Sequence, residues 1–120
     1  MTVEELYNRI GGDYEEAIGR MRSEALVKRF AVKFLDDTSC RDLFEAWEAG
    51  DAAAAFEAAH AAKGVSSNLS FAKVASLTGE ITEALRPGNE ELRSNVDVDE
   101  LIARLKQAYD NTVEAIRELA

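Results

Sequence analysis

Phe56-Glu57-Ala58-Ala59-His60-Ala61-Ala62-Lys63-Gly64-Val65-Ser66-Ser67-Asn68-Leu69 holds the only histidine of the chain. At about 100° of rotation per residue on an α-helix, Ala55, Ala59, Ala62, Ser66 and Leu69 fall on one narrow stripe. The stripe is small and mostly apolar, as a close-packed buried face should be. Local signals disagree at one point: Gly64 and the run Ser66-Ser67-Asn68 read as a helix stop followed by a turn. Ser66 and Leu69 nevertheless keep the phase of the stripe. The expectation is therefore one continuous helix, capped by Asp51 and running to about Leu69.

The other face of this helix is chemically different. His60 lies roughly 140° from the centre of the stripe, Gly64 about 180°, Ser67 about 120° and Lys63 about 80°. A neutral imidazole is a nitrogen nucleophile near neutral pH, because its ordinary pKa is about 6.5. Lys63, one turn on, can set a positive charge beside an anion attached to His60. Gly64, also one turn on, leaves out the side chain that would obstruct an approaching partner. A glycine inside a helix costs roughly 1 kcal/mol relative to alanine, so its presence asks for a reason.

Outward from this stretch the pattern is helical throughout. Thr2-Val3-Glu4-Glu5 reads as a capping box opening a short helix to about Ile10, with Val3, Leu6 and Ile10 on its apolar side and Gly11-Gly12 as its stop. Asp13 caps a second short helix to about Met21. Ser23 caps a longer one over 24–36, in which Val27, Phe30, Ala31 and Phe34 recur at helical spacing and read as core. Thr38 or Ser39 opens the next, with Leu43, Phe44 and Trp47 inside it and Gly50 as its stop. After the central helix, Ser70 starts a helix to about Arg86, with Val74, Thr78, Ile81 and Leu85 inward, ended by Pro87-Gly88. The polar run Gly88 to Asp97 is expected to be a loop. Asp97 or Asp99 opens a last helix to about Leu119, striped by Leu101, Leu105, Ala108, Thr112, Ile116 and Leu119 with Ile102, Tyr109 and Val113 beside them. The expected fold is all-α: an antiparallel four-helix bundle built from 24–36, 51–69, 71–86 and 98–119, with short additional N-terminal helices covering one end.

Composition narrows the function classes. The 120 residues, 47% of them hydrophobic, make a single domain, 1–120, with one core. No segment approaches the roughly 20 apolar residues needed to span a bilayer, and Met1-Thr2-Val3-Glu4-Glu5 has no signal-peptide pattern. The single cysteine, Cys40, rules out an internal disulfide framework and fits a reducing, cytoplasmic setting. A formal net charge of −9 makes nucleic acid and anionic membranes poor partners and favours a soluble monomer. One early segment departs from that acidity, with Arg20, Arg22, Lys28, Arg29 and Lys33, which reads mainly as a solvated helix face. One histidine and one cysteine make a poor zinc site, and no hydrolytic triad is visible.

His60-Ala61-Ala62-Lys63-Gly64-Val65-Ser66-Ser67-Asn68-Leu69 resembles the signature of histidine-containing phosphotransfer (HPt) domains, roughly His-x-x-Lys-Gly-x-Ser-x-x-Leu, matching at His60, Lys63, Gly64, Ser66 and Leu69. The run Gly11-Gly12-Asp13-Tyr14-Glu15-Glu16-Ala17 and the helix through Phe34-Leu35-Asp36-Asp37 look like the front of the same domains. Ala62 stands where a leucine is common, and Ser70 where a glycine is common. The resemblance implies a four-helix bundle with the histidine exposed on a long helix. It also implies a phosphohistidine carrier of a multistep phosphorelay, passing a phosphoryl group between receiver-domain aspartates through His60. The partners would be response-regulator receivers and a sensor (hybrid) histidine kinase. Lys63 would stabilise phosphoryl charge, Gly64 would give the receiver access, and Phe56 would form part of an apolar docking rim. Ser67 would hydrogen-bond the imidazole or the phosphate, although Ser67 and Asn68 read equally well as ordinary helix-end residues. Such a protein is not an enzyme in its own right: it needs no cofactor of its own, and Mg²⁺ and much of the catalysis come from the receiver.

Two other readings stand beside this one. An HPt-like bundle could dock and regulate a receiver or kinase without carrying phosphate. The chain could also be a module of a larger chemotaxis-type kinase, against which stands the lack of any ATP-binding region in this sequence.

Overall fold

The computed structural model describes all residues, 1–120, and is helical without strands. The elements are α1 (Val3–Ile10), α2 (Tyr14–Met21), α3 (Glu24–Lys33), a single 3₁₀ turn (Phe34–Asp36), α4 (Ser39–Glu48), α5 (Ala52–Asn68), α6 (Ala72–Leu85), α7 (Glu90–Asn95) and α8 (Val98–Leu119). Five helices are capped as their side chains specify, whereas Thr38, Phe71 and Asn89 at the starts of α4, α6 and α7 make no side-chain cap bond. Thr2 and Glu5 form the reciprocal capping box, and the carboxylates or hydroxyl of Asp13, Ser23, Asp51 and Asp97 each accept the amide three residues on. Such bonds satisfy amides that the first turn leaves without a helical partner.

The stripe of α5 is buried as expected. Ala55, Ala59, Ala62, Ser66 and Leu69 all face the core. Small residues let neighbouring helices come close, and α4 and α6 pack along α5 on its two sides. Helix α8 lies against α6, α4 and α1. Buried hydroxyls are satisfied along their own helices: Ser66 donates to the Ala62 carbonyl, Thr78 to Val74 at 2.8 Å, Thr82 to Thr78 at 2.6 Å and Thr112 to Ala108 at 2.7 Å. Burial pushes the Cys40 thiol up to about 12, which leaves it protonated and inert near neutral pH.

Four details differ from the sequence expectations. The helix over 24–36 tightens into a 3₁₀ turn after Lys33, and the helix packed along α5 is α4 rather than this one. Phe30 is 41% exposed instead of core. Val27, Ala31 and, just past the end of α3, Phe34 face inward, whereas Phe30 lies roughly 70° off their centre and is left partly open to solvent. Ser70 is not helical: it takes a left-handed conformation, φ +57°, and α6 begins at Ala72. The stretch 88–97, expected as a loop, contains the one-and-a-half-turn α7, which buries none of its residues. Acidic Glu90 and Glu91 at its start and Arg93 near its end suit the helix dipole, but no apolar stripe announces it.

Candidate functional site

Helix α5 carries the site because its two faces are so unlike. Opposite the buried stripe, His60, Gly64 and Ser67 are exposed, and Lys63 is half-buried at the edge. A methyl group built at Gly64 would meet no atom within 4 Å. The fold therefore does not need glycine there for space, and the helix would be more stable with alanine. The bare backbone beside His60 is left open to something outside the chain.

Helix α6 supplies a second side to the site. Gly79 faces Lys63: a β-carbon there would stand 3.7 Å from Cε and 3.8 Å from Cδ of Lys63, so the lysine stem runs across α6 at this point. Further along, Glu83 and Arg86 form a two-pronged ion pair, with Arg86 Nε donating to Oε2 at 3.1 Å and Nη2 to Oε1 at 2.9 Å. The Arg86 guanidinium lies 5.3 Å from the centre of the Phe56 ring. The Phe56 ring in turn stacks on the His60 imidazole, with centroids 6.1 Å apart and planes 17° apart. The Arg86 fork holds the Glu83 carboxyl below the ordinary carboxylate range, with smaller contributions in the same direction from Lys63 and His60. A groove of about 400 Å³ opens next to Lys63, with Gly79, Glu83, Ala84, Leu92 and Leu101 among its lining residues.

Of the residues singled out from sequence, His60, Lys63, Gly64 and Phe56 share one side of the molecule with Glu83 and Arg86. Ser67 stands apart. Seven residues from His60, it lies about 10 Å further along the helix axis, and its hydroxyl does not reach the imidazole. Its backbone carbonyl instead accepts from Arg20 Nη1 at 2.9 Å, as does that of Asn68 at 2.7 Å. Glu83 and Arg86 were not legible as site residues. They lie 23 and 26 positions after His60 (83 − 60 and 86 − 60), and only the pairing of α5 with α6 brings them alongside.

The site has the parts of an anion-handling surface: one nucleophilic nitrogen, two cations and open backbone. No group of three or more His, Cys, Asp or Glu side chains stands together as a metal centre would require. No helix is long and apolar enough to cross a membrane. In comparison with known proteins, the Hpt domain family model matches residues 36–118, from the 3₁₀ turn to the end of α8. No curated protein and no solved structure matches the chain.

Proposed function

The chain belongs to the Hpt domain family, and on that premise we propose that it is a cytoplasmic, monomeric phosphohistidine carrier. Hpt domains are phosphocarrier modules of phosphorelay signalling that interact with receiver domains and kinases. In this reading a lone pair on an imidazole nitrogen of His60 attacks the phosphorus of an aspartyl phosphate on a receiver. The N–P bond forms as the bond from phosphorus to the acyl oxygen breaks, and that electron pair returns to the aspartate as carboxylate. The ring keeps its other N–H. Onward transfer to a second receiver runs the same exchange in reverse.

Phosphoryl transfer passes through a loose transition state, so positioning and charge carry most of the catalysis. Lys63 supplies charge from this chain, Phe56 steadies the ring and offers an apolar edge to the partner, and Gly64 admits the partner's backbone. Ser67, two turns away, faces the partner rather than the imidazole. The divalent cation is the receiver's.

The observation that carries the reading is Gly64: exposed, one turn from the only histidine, and needed by nothing inside the fold. The test is a transfer assay with Mg²⁺ and a panel of phosphorylated receivers. Wild type should acquire an acid-labile, base-stable phosphate, and His60→Gln none while keeping its fold. Gly64→Ala should gain up to about 1 kcal/mol of stability yet take up phosphate more slowly. Binding of receivers without any label on the wild type would replace the carrier by a docking module.

A further inference from the structure

Glu83 is out of place in a site meant to hold a phosphoryl dianion. Its carboxylate is paired with Arg86 through two bonds of 3.1 and 2.9 Å and lines the same groove as Lys63. Arg86 rests on Phe56, and Phe56 rests on His60. Arg86 is thus paired with an acid that also borders the groove beside Lys63, and that acid carries its negative charge where a phosphoryl group would bring its own. The pair is half exposed, with side chains 42% and 47% accessible, so it can be parted at small cost.

Resting on the carrier reading above, we infer that Glu83 is the internal counter-ion of the site, paired with Arg86 and beside Lys63 until a phosphoryl group on His60 draws both cations to itself. Arg86 is then the second cation of the phosphorylated state, delivered from the adjacent helix. Glu83 remains close by as an unpaired carboxylate. Its repulsion of the phosphoryl group raises the transfer potential of the phosphohistidine and favours release to the next receiver. Without Glu83 the chain would hold phosphate more tightly and act more as a store than a relay. Without Arg86 it would hold it less tightly.

The charge around the phosphoryl group can be measured without a receiver. Potassium phosphoramidate can load His60 directly: the ring nitrogen attacks phosphorus, the P–N bond of the reagent breaks, and ammonia leaves with the electron pair. The second ionisation of the resulting phosphoryl group is then followed by phosphorus NMR in the full chain. Glu83→Gln should lower that phosphoryl pKa by about half a pH unit and Arg86→Ala should raise it by a similar amount, as expected for half-exposed charges. Arg86→Lys, which keeps the charge but not the fork, should restore most of the wild-type value. In exchange with a receiver, Glu83→Gln should shift the phosphoryl equilibrium toward His60 by about threefold, the same half unit.

An unchanged titration in both variants, or shifts of the same sign, would overturn the inference. So would failure of phosphoramidate to load His60 under conditions that load free imidazole. If the opposed shifts appear but no receiver exchanges phosphate with the wild type, the counter-ion stands and the carrier reading falls.

Discussion

Helix α6 enters through Leu69-Ser70-Phe71 and leaves through Arg86-Pro87-Gly88, and the two connections are held by different kinds of contact. At the entrance, distant parts of the chain close on the turn. Tyr7 donates its hydroxyl to the Leu69 carbonyl at 2.7 Å, the Asp13 amide donates to the Ser70 carbonyl at 2.9 Å, and the Lys73 amide donates to Gly11 at 3.1 Å. Ser70 donates to Glu16 at 2.7 Å, and Arg20 covers the last carbonyls of α5. Tyr7 and Phe71 pack edge to face at 5.4 Å, and Phe34 meets Phe71 at 5.2 Å. At the exit the bonds are local. Asn89 donates from its backbone to Arg86 at 3.0 Å and from its side chain to Glu83 at 3.1 Å, and Arg93 reaches Ala84 and Leu85 at 3.4 Å. Nothing in α7 is buried.

The contrast teaches where the molecule is firm and where it can yield. The entrance fixes the register of α5 against α6, and with it the height of Lys63 opposite Gly79 and of Phe56 against Arg86. The exit borders the groove beside Lys63 and Glu83. Few buried contacts and exposed backbone bonds are the marks of a segment that opens at low cost.

The sharpest way to break this contrast is Tyr7→Ala. It removes a fully buried ring, its two aromatic neighbours and the bond to Leu69, and should cost about 3–4 kcal/mol. Urea unfolding at unchanged slope would register it, and a loss below about 1 kcal/mol would mean that the turn holds itself together without α1. Arg20→Ala should cost less, about 1 kcal/mol, because its bonds to the Ser67 and Asn68 carbonyls are exposed and water can replace the guanidinium. A loss equal to that of Tyr7→Ala would show the cap and the aromatic cluster acting as one unit. The smallest effect is expected at the exit: Leu92→Ser, at a side chain 41% exposed, should move stability by no more than about 0.5 kcal/mol. Hydrogen exchange should find the α7 amides unprotected while those of Phe71 and Ala75 persist. Equal protection at both ends would erase the distinction.

Much of this was legible beforehand, and for a common reason. Thr2, Asp13, Ser23 and Asp51 announce helix starts because a cap bonds an amide three residues away, and the pattern needs nothing else. The Ala55-to-Leu69 stripe is legible because burial repeats at the helical period within one element. Phe30 marks the limit of the same signal: its spacing fits a core position, but spacing does not say how completely other elements cover it. Helix α7 is not legible because a short polar helix with no buried face leaves no periodic signal. Ser70 is instructive in both directions. A glycine is common at this position in the family it resembles, and the left-handed φ of +57° accounts for that; serine accepts the conformation here with its hydroxyl bonded to Glu16.

The sequence by itself determined the longer helices, the five side-chain caps and the two unlike faces of α5, including the exposure of His60 and Gly64. Each of these depends on residues no more than a few turns apart. Tertiary structure alone decided that α4 packs along α5, that Tyr7 and Arg20 clamp a turn some 50 to 60 residues away, and that the Glu83–Arg86 pair stands against Phe56, the ring that stacks on His60. Those neighbours meet only when apolar stripes on separate helices bury one another, and no pattern within a single helix encodes which charge that burial will bring to the other side.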